Sequence, residues 1–573
     1  MKPKKISESS PLNPKKNDEQ NNEQSQDLEA NQISPSPVSY PQAAWNVTSF
    51  SLPFTISRLA VAVNVLTNGS ITPKIGPNAA AAGPQMISIV YAVLGPGRSI
   101  LLATGILVGK KYGELQELLK SGKTLEAKEI QEAIGDQLRQ STTFGTMLAI
   151  PSIAFMVGMG PILRAAGIAP ALVTEIEGFL NSTATGLLPI YWSTSDQQFA
   201  MAIGHKYIPM IFGTLFPLLS MGFGYPFALG SFGLPKLGTA GLGYGMSAAA
   251  WLSFAALRLY FLKPEFEPYR IYKVQFRGLF NQFSDLLKLG LPLGFQALTE
   301  WGNMFFLSAL IARKGGNASM AANGSFQIIT AATLITAALG QGISIKISEQ
   351  LGKMKIAEQL GKFNELKVIN KNLKRIGNAG IVTGALATTG LMAFLVSMPK
   401  QIQSVFVSHD DPEYQEIMIM AQAMLITNAV GLIFDTVRNM SASALSGSKD
   451  VMFAPLISLL TMSMMALGVG ALLTEHFDLD ANWLFITRDV GILAAAFAVS
   501  IRWLMKNHEP ELKEKSTVTI EELPDEPNEP TAPAHTEPTP KNKNYGTNGS
   551  TFFYHQTPKE EQKYLLPKQL GYQ

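Results

Sequence analysis

Two acidic residues lie deep inside long apolar segments of this sequence. Glu300 belongs to LPLGFQALTEWGNMFF, and Asp435 belongs to NAVGLIFDTVRNMSASALSG. If these segments cross a bilayer, an acid at mid-depth costs roughly 3 kcal/mol on insertion scales, so such residues usually serve a function. The usual functions are to carry a proton or to bind a hard cation such as Na⁺. We therefore predict that Glu300 and Asp435 couple ion movement to transport, and that both bind Na⁺ if sodium is the ion.

Each acid also has a structural interpretation. Asp435 and Arg438 are three residues apart, so they could form an ion pair that only holds helices together. Glu300 could be neutralised by protonation or pairing, although no basic partner lies on its own helix. If both acids face one cavity, their ionisation is coupled.

Other polar residues in the apolar segments are candidates to line a cavity, and most of them share a helix face with another polar residue or with one of the acids. They are Asn64, Asn68, Asp196, Gln296, Asn303, Asn323, Gln327, Asn428 and Asn439. The alternative for the amides is a hydrogen bond to a neighbouring helix. The alternative for Asp196 is a helix end that reaches water.

Twelve apolar runs of helix length make up the body of the chain. A bilayer core about 30 Å thick needs roughly 20 apolar residues in a helix. The runs cover residues 49–70, 84–108, 138–160, 172–195, 207–230, 239–262, 284–312, 323–346, 377–397, 414–440, 451–474 and 483–505. The sequence therefore predicts an all-α membrane protein with twelve transmembrane helices.

Composition divides the 573 residues into five parts. The mean hydropathy is only +0.14, because two polar ends dilute the apolar body. Residues 1–48 and 507–573 are predicted to be disordered cytoplasmic tails, since their polar and proline-rich composition cannot bury enough apolar surface to fold. Between them we predict an N-lobe at 49–262, a cytoplasmic linker at 263–283 and a C-lobe at 284–506.

Loop charge predicts the orientation of the chain in the membrane. Lys and Arg concentrate after the second, sixth and eighth spans, whereas the loops after the ninth and eleventh spans are acidic. By the positive-inside rule, the even-numbered loops and both termini face the cytoplasm. We expect an integral protein of the bacterial inner membrane.

An internal repeat relates the two lobes. Pro53 and Pro292 differ by 239 residues, and so do Gly113 and Gly352; Gly204 precedes its match by 243. Each half holds six spans, an even number, so both copies run the same way through the membrane. The repeat therefore predicts two six-helix lobes related by a pseudo-two-fold axis along the membrane normal, with a substrate site between them and alternating access by rocking.

Several segments resemble the multidrug and toxic compound extrusion (MATE) family of transporters, and most closely its NorM-like branch. They are KLGLPLGFQALTE (288–300), SIKISEQLGKMK (344–355), GTAGLGYGMS (238–247) and DTVRNMSASALSGSKD (435–450). The resemblance implies a twelve-helix antiporter that expels organic cations in exchange for H⁺ or Na⁺, with Glu300 and Asp435 as the cation site of the C-lobe. Asn68 stands where many members have an acid, and Gly431 where a tyrosine is common.

The functional prediction is a cation-coupled exporter of amphiphilic, cationic organic compounds. No phosphate-binding loop, histidine cluster or nucleophile–base arrangement appears, so we expect neither an enzyme nor a resident cofactor. The expected partners are a small organic substrate and the lipid bilayer, with no nucleic acid and a monomeric chain. Two alternatives stay open: a lipid-linked oligosaccharide flippase of the same superfamily, which should have a basic cavity, and a scaffold that no longer transports. The acidic intramembrane charge predicted here argues against the flippase.

Overall fold

A computed structural model of the protein describes residues 37–165, 170–273, 279–314, 316–404, 406 and 413–506. The chain up to Lys506 forms one compact unit. The second unit, Asn507–Gln573, and residues 1–36 lie outside the described residues. The prediction of disordered tails therefore stays a prediction for both.

The N-terminal half of the unit is helical throughout most of its described residues. Its α-helices are α1 (Tyr40–Ile75), α2 (Pro77–Lys120), α3 (Thr124–Val157), α4 (Met159–Ala165), α5 (Pro170–Ala184), α6 (Leu187–Ala202), α7 (Tyr207–Leu229) and α8 (Thr239–Tyr260). Short 3₁₀ helices at Ser231–Gly233 and Pro264–Tyr269 lie on either side of α8.

The C-terminal half has the same helical character. Its α-helices are α9 (Leu279–Arg313), α10 (Gly316–Gln359), α11 (Phe363–Ser397), α12 (Pro399–Gln403), α13 (Tyr414–Gly447), α14 (Phe453–Ser458) and α15 (Asn482–Met505). Two π-helical stretches, Leu459–Val469 and Leu472–His476, continue α14. The described residues contain no strand.

All twelve predicted spans fall on these helices. Within the described residues, nine helices are long and apolar enough to cross a membrane by length and composition. Many large apolar side chains on their outer faces are exposed, including Leu59, Leu218 and Phe497. Such outward-facing apolar surface suits contact with lipid, where the hydrocarbon takes the place of a protein core.

Two predicted boundaries differ from the observed ones. Helix α1 begins at Tyr40, well before residue 49, because Ser39 Oγ accepts a hydrogen bond from Gln42 N (3.4 Å) and a proline stands in the first turn. Both features favour helix initiation. The fourth predicted span breaks at Gly186, where an added Cβ would lie 2.7 Å from Ser247 Cα of α8. The close approach of α8 therefore requires glycine there.

The two halves meet through the repeated glycines. A Cβ added to Gly113 of α2 would overlap the carbonyl oxygen of Glu349, and a Cβ added to Gly352 of α10 would overlap that of Lys110. Glu349 follows Lys110 by 239 residues, the same offset that separates the two glycines. The contact is therefore reciprocal, as a two-fold axis requires.

Ion pairs join the halves beside this contact. Lys355 Nζ of α10 lies 3.0 Å from Glu114 Oε2 of α2. Lys362 Nζ, between α10 and α11, lies 3.3 Å from Glu117 Oε1. The halves are thus closed against each other at this end, which the loop charges predict to be the cytoplasmic one.

Candidate functional site

A cavity of about 200 Å³ lies between the two halves. Helices α1 and α2 line it from one side, and α9, α10, α13 and α15 from the other. Six charged residues line it: Arg58, Arg98, Glu300, Asp435, Arg438 and Arg488. Both predicted coupling acids therefore face a cavity at the boundary of the lobes.

Glu300, Asp435 and Arg438 form a charged cluster on the C-terminal side of the cavity. Arg438 Nη2 donates to Glu300 Oε1 at 2.9 Å and to Asp435 Oδ1 at 2.7 Å. Its Nε donates to the same Asp435 oxygen at 3.1 Å, and its Nη1 donates to Ser458 Oγ at 3.1 Å. With both acids ionised, two carboxylates share one guanidinium, so the cluster has a formal net charge of −1.

Both interpretations of Glu300 and Asp435 apply to this cluster: the acids form ion pairs, and they also face the cavity. The Asp435–Arg438 ion pair is present, as the spacing of three residues allows. Arg438 also supplies Glu300 with a basic partner from another helix. The Arg438 side chain is 1% exposed, while that of Glu300 is 26% exposed. The glutamate therefore remains open to the cavity, and the arginine lies behind it.

Three predicted amides lie around the cluster. Gln296 Nε2 donates to Glu300 Oε1 at 3.1 Å, and Asn439 Nδ2 donates to Asp435 Oδ2 at 3.2 Å. Asn303 lines the cavity itself and accepts a hydrogen bond from a serine hydroxyl at 3.0 Å. Gln296 and Asn439 therefore orient the carboxylates, and Asn303 presents a polar surface to the cavity.

A second acid–base pair lies on α15. Arg488 lines the cavity, and its Nη1 donates to Asn428 Oδ1 of α13 at 2.8 Å. The same nitrogen lies 3.5 Å from Asp489 Oδ1. Asp489 is buried, and neither carboxylate oxygen has a hydrogen-bond partner among the described residues. Its carboxylate fills the space that a side chain at Gly431 would occupy.

The N-terminal side of the cavity is basic. Arg58 of α1 and Arg98 of α2 line the central cavity and also a smaller one of about 40 Å³ within the N-terminal half. Hydroxyl and amide side chains line the smaller cavity: Ser57, Ser193, Thr194, Gln197 and Ser253. The described residues that line it include no acid.

An aromatic pair bridges the halves at the cavity wall. The rings of Tyr91 (α2) and Trp301 (α9) stack with centroids 5.2 Å apart and planes 15° apart. Both side chains line the central cavity. An added Cβ on Gly95 would lie 2.9 Å from Trp301 Cδ1, so the glycine leaves room for the indole. The stack therefore places Trp301 at the cavity wall.

The polar candidates of the N-terminal half lie elsewhere. Asn64 Nδ2 donates to the carbonyl of Pro217 on α7 at 3.2 Å, and Asn68 Nδ2 donates to Asn64 Oδ1 at 3.1 Å. Asn64 therefore forms the bond to a neighbouring helix that was the alternative to cavity lining, whereas Asn68 bonds to Asn64 within α1. Asp196 is fully buried, and Arg258 Nη2 of α8 lies 2.9 Å from its Oδ1. Its partner is therefore an arginine inside the lobe, and not water at a helix end.

The polar side chains of α10 occupy different positions. Thr330 and Gln341 line the central cavity, and Gln198 Nε2 donates to Gln341 Oε1 across the halves at 3.1 Å. Gln327 is half-buried and is not among the described lining residues. The side chain of Asn323 lies outside the described residues, so its predicted role stays a prediction.

The charge of the cavity differs from the sequence prediction. Four arginines face two acids among the described lining residues, whereas the sequence predicts mainly acidic intramembrane charge. Arg98, Arg488 and Asp489 are not among the predicted site residues, although Arg488 and Asp489 stand together inside the predicted span 483–505. Arg58 lies midway along α1. An arginine inside a predicted transmembrane span therefore indicates a functional site, just as an acid there does.

Metal binding depends on the same two acids. Among the described residues, no group of three or more His, Cys, Asp or Glu is placed to hold an ion. Glu300 and Asp435 offer two carboxylates, and the hydroxyls and carbonyls of α9 and α13 would have to complete a sodium shell. Any Na⁺ bound there is cargo and not a structural metal.

Curated relatives match most of the chain. A probable multidrug resistance protein NorM of Pseudomonas aeruginosa is 26% identical over 459 residues, which cover 79% of this chain and 88% of that protein. The corresponding protein of Mesorhizobium japonicum is 22% identical over 459 residues, covering 79% of this chain and 92% of its own length. No family model matches the chain.

Solved structures share the fold. A eukaryotic MATE transporter, AtDTX14, matches with a TM-score of 0.69 at 14% identity, covering 82% of this chain and 97% of its own. A MOP superfamily transporter from Pyrococcus furiosus matches with a TM-score of 0.67 at 15% identity, covering 81% of this chain and 95% of its own. Both likenesses concern the fold alone.

The chain has the two-lobed, all-α fold of these membrane transporters. The predicted all-α fold is thereby confirmed. Together with the curated relatives, the fold makes the chain similar to NorM-like transporters of the multidrug and toxic compound extrusion (MATE) family.

Proposed function

We propose that the chain exports amphiphilic organic compounds by alternating access, driven by the antiport of H⁺ or Na⁺. The curated relatives are named as multidrug resistance proteins, which supports export of foreign compounds. We place the protein in the bacterial inner membrane, with both termini cytoplasmic. We take a monomer as the working unit.

The observation that carries this proposal is the net charge of the Glu300–Asp435–Arg438 cluster. A formal charge of −1 in a low-dielectric site favours the uptake of one cation. A proton would add to a carboxylate oxygen of Glu300 or Asp435, and Na⁺ would bind between oxygens. Either event neutralises the cluster and weakens the hold of Arg438 on that acid.

Alternating access then turns this uptake into transport. When the cavity opens to the outside, the cluster takes up the ion at the higher outside electrochemical potential. When the lobes rock, the cluster releases the ion to the cytoplasm and the cavity accepts a substrate. Moving one elementary charge through 100 mV supplies about 2.3 kcal/mol per cycle.

The charge of the cavity does not favour the purely cationic substrates that the sequence predicts. Arg58 and Arg98 would repel a cation on the N-terminal side, while the cluster would attract one on the C-terminal side. The basic side also supports the second candidate function, a flippase for lipid-linked oligosaccharides, whose pyrophosphate would need such a surface.

The test is efflux from proteoliposomes under an imposed pH or Na⁺ gradient, with ethidium and a zwitterionic fluoroquinolone as substrates. We expect Glu300→Gln and Asp435→Asn each to lower gradient-driven efflux at least tenfold, because each removes an ionisable oxygen from the cluster. The matched controls are Glu126→Gln and Asp478→Asn, which break exposed ion pairs with Lys123 and Lys314. These should transport normally.

The variants must be recovered as monodisperse protein in normal yield. Wild-type efflux in both cluster variants would reject the coupling site. An absence of gradient-driven efflux in the wild-type protein, for every compound tried, would reject the transport function and favour a scaffold.

A further inference from the structure

Within the part of the chain that the structure describes, Arg58 and Arg98 have no acceptor for their guanidinium groups. Among the described residues, neither side chain forms an ion pair or a hydrogen bond with an acceptor. Arg58 lies over the ring of Phe54, with its Cζ 4.6 Å from the centroid, and this contact leaves its N–H groups unused. Both side chains are only partly accessible, and both reach the central cavity.

The acids nearest to Arg58 and Arg98 among the described residues form ion pairs with other arginines. Arg438 holds Glu300 and Asp435 on the opposite wall. Asp196 of the N-terminal half lies 2.9 Å from Arg258. The smaller cavity behind the two arginines offers hydroxyls and amides and no acid among its described lining residues. Within the described part of the chain, no side chain near Arg58 and Arg98 is therefore placed to act as their counter-ion.

Two cations without counter-ions are costly at membrane depth. Insertion scales put one arginine at mid-bilayer roughly 3 kcal/mol unfavourable, and such residues usually pair or mark a substrate path. Two guanidiniums that face one cavity also repel each other. An anionic group between them would relieve both costs, and the planar fork of each guanidinium matches carboxylate, sulfonate and phosphate oxygens.

The rest of the cavity suits an apolar or aromatic body. The stacked rings of Tyr91 and Trp301 offer a flat face between the lobes. Aromatic faces bind ring systems in an offset stack. Apolar side chains such as Leu94 and Ile329 complete this part of the lining. The cavity thus places two fixed cations beside an apolar, partly aromatic wall.

We propose that Arg58 and Arg98 form an anion-binding subsite, and that the compounds transported by this protein carry a carboxylate, sulfonate or phosphate on an apolar body. The proposal rests on the transport function proposed above and specifies its substrate class. A zwitterion would satisfy both walls, with its anionic group on the two arginines and its cationic group towards Glu300.

The test uses two probes that differ by one group: 8-anilinonaphthalene-1-sulfonate and its uncharged parent, N-phenyl-1-naphthylamine. The purified full chain in lipid nanodiscs is titrated with each, and the signal of empty nanodiscs is subtracted. We expect the wild-type protein to bind the sulfonate at least about tenfold more tightly than the parent, since charge-assisted hydrogen bonds are strong. Equal affinities would overturn the proposal.

Variants assign the effect to the two arginines. Arg58→Gln and Arg98→Gln should each weaken sulfonate binding about tenfold or more and leave binding of the parent within about twofold. Arg58→Lys should retain an intermediate affinity. Arg502→Gln is the matched control, because Arg502 pairs with Asp450 (3.0 Å) and is not a lining residue. Unchanged sulfonate affinity, or an equal loss for both probes in a monodisperse variant, would contradict the proposal.

Competition separates two sources of the anionic group. Farnesyl diphosphate, with farnesol as its uncharged control, stands for a lipid-linked pyrophosphate. Displacement of the sulfonate by the diphosphate at much lower concentration than by small aromatic acids would assign the subsite to a lipid carrier. The reverse order would assign it to small organic acids.

The proposal can also fail separately from the transport function. Gradient-driven efflux of ethidium without arginine-dependent sulfonate binding would reject the anion subsite and keep the transporter. Arginine-dependent binding without gradient-driven efflux of any compound would keep the subsite and reject ion-coupled export.

Discussion

At the residue scale, Asp435 and Asp489 differ in what holds their carboxylates. Asp435 receives two hydrogen bonds from Arg438 and one from Asn439. Asp489 receives none from the described residues, and its ion-pair partner Arg488 approaches only to 3.5 Å. The ionised form of Asp489 is therefore poorly solvated, whereas that of Asp435 is stabilised by its neighbours.

This difference predicts opposite effects on stability. Asp489→Asn removes an unsatisfied buried carboxylate, so the melting temperature should stay the same or rise. Asp435→Asn removes charged acceptors from the buried Arg438 and should cost about 1–3 kcal/mol. Thermal unfolding of the purified proteins measures both, with Asp478→Asn as an exposed control. A melting temperature that falls further for Asp489→Asn than for Asp435→Asn would refute this account.

The sequence predicts part of this residue-scale chemistry. The spacing of Asp435 and Arg438 indicates their ion pair, because residues three apart share a helix face. Glu300 lies 138 residues from Arg438, and local spacing carries no information on such a contact. The sequence also cannot predict that Arg58 and Arg98 lack ion-pair partners among the described residues. That outcome depends on which acids form ion pairs with other arginines in the folded protein.

At the element scale, the packing of α13 against α15 depends on Gly431. The carboxylate of Asp489 occupies the position where a Cβ at residue 431 would stand. Gly431→Ala should therefore force the two helices or the Asp489 side chain to shift, at a cost of about 1–3 kcal/mol. Its unfolding temperature should fall accordingly.

A second substitution tests the cause. Asp489→Ala shortens the opposing side chain, so the double variant Gly431→Ala, Asp489→Ala should recover most of the loss. An additive or larger loss in the double variant would show that the contact is not what limits residue 431. Gly468→Ala serves as the matched control, because an added Cβ there meets no atom within 4 Å.

The spans themselves are predictable because an apolar run of about 20 residues has the length that a helix needs to cross a bilayer. The residues at which the helices begin and end are harder to predict from the sequence. The start of α1 at Tyr40 depends on a capping serine in a polar stretch that resembles a tail. The break at Gly186 depends on the approach of α8, a contact between segments far apart in sequence.

At the scale of the whole molecule, the reciprocal glycine contact closes the lobes at the end predicted to be cytoplasmic. Near it, a Cβ added to Gly109 of α2 would lie 2.7 Å from Ser348 Oγ of α10. The chain contains no cysteine, so an introduced pair has no competing thiol. Gly109→Cys, Ser348→Cys should therefore form a disulfide across the lobes on oxidation.

That cross-link should block rocking and abolish gradient-driven efflux, and a reductant should restore it. The measurement is efflux from proteoliposomes before and after reduction, with each single cysteine variant as control. Full efflux by the cross-linked protein would mean that the lobes need not part at this contact.

The stacked Tyr91 and Trp301 rings belong to different lobes and border the cavity. Any motion that widens this gap must separate the rings and change the surroundings of the indole. Trp301 emission therefore reports the opening of the cavity from within the unlabelled protein. In a variant that keeps Trp301 and replaces the other tryptophans, stopped-flow fluorescence would time each step of the transport cycle without an attached dye.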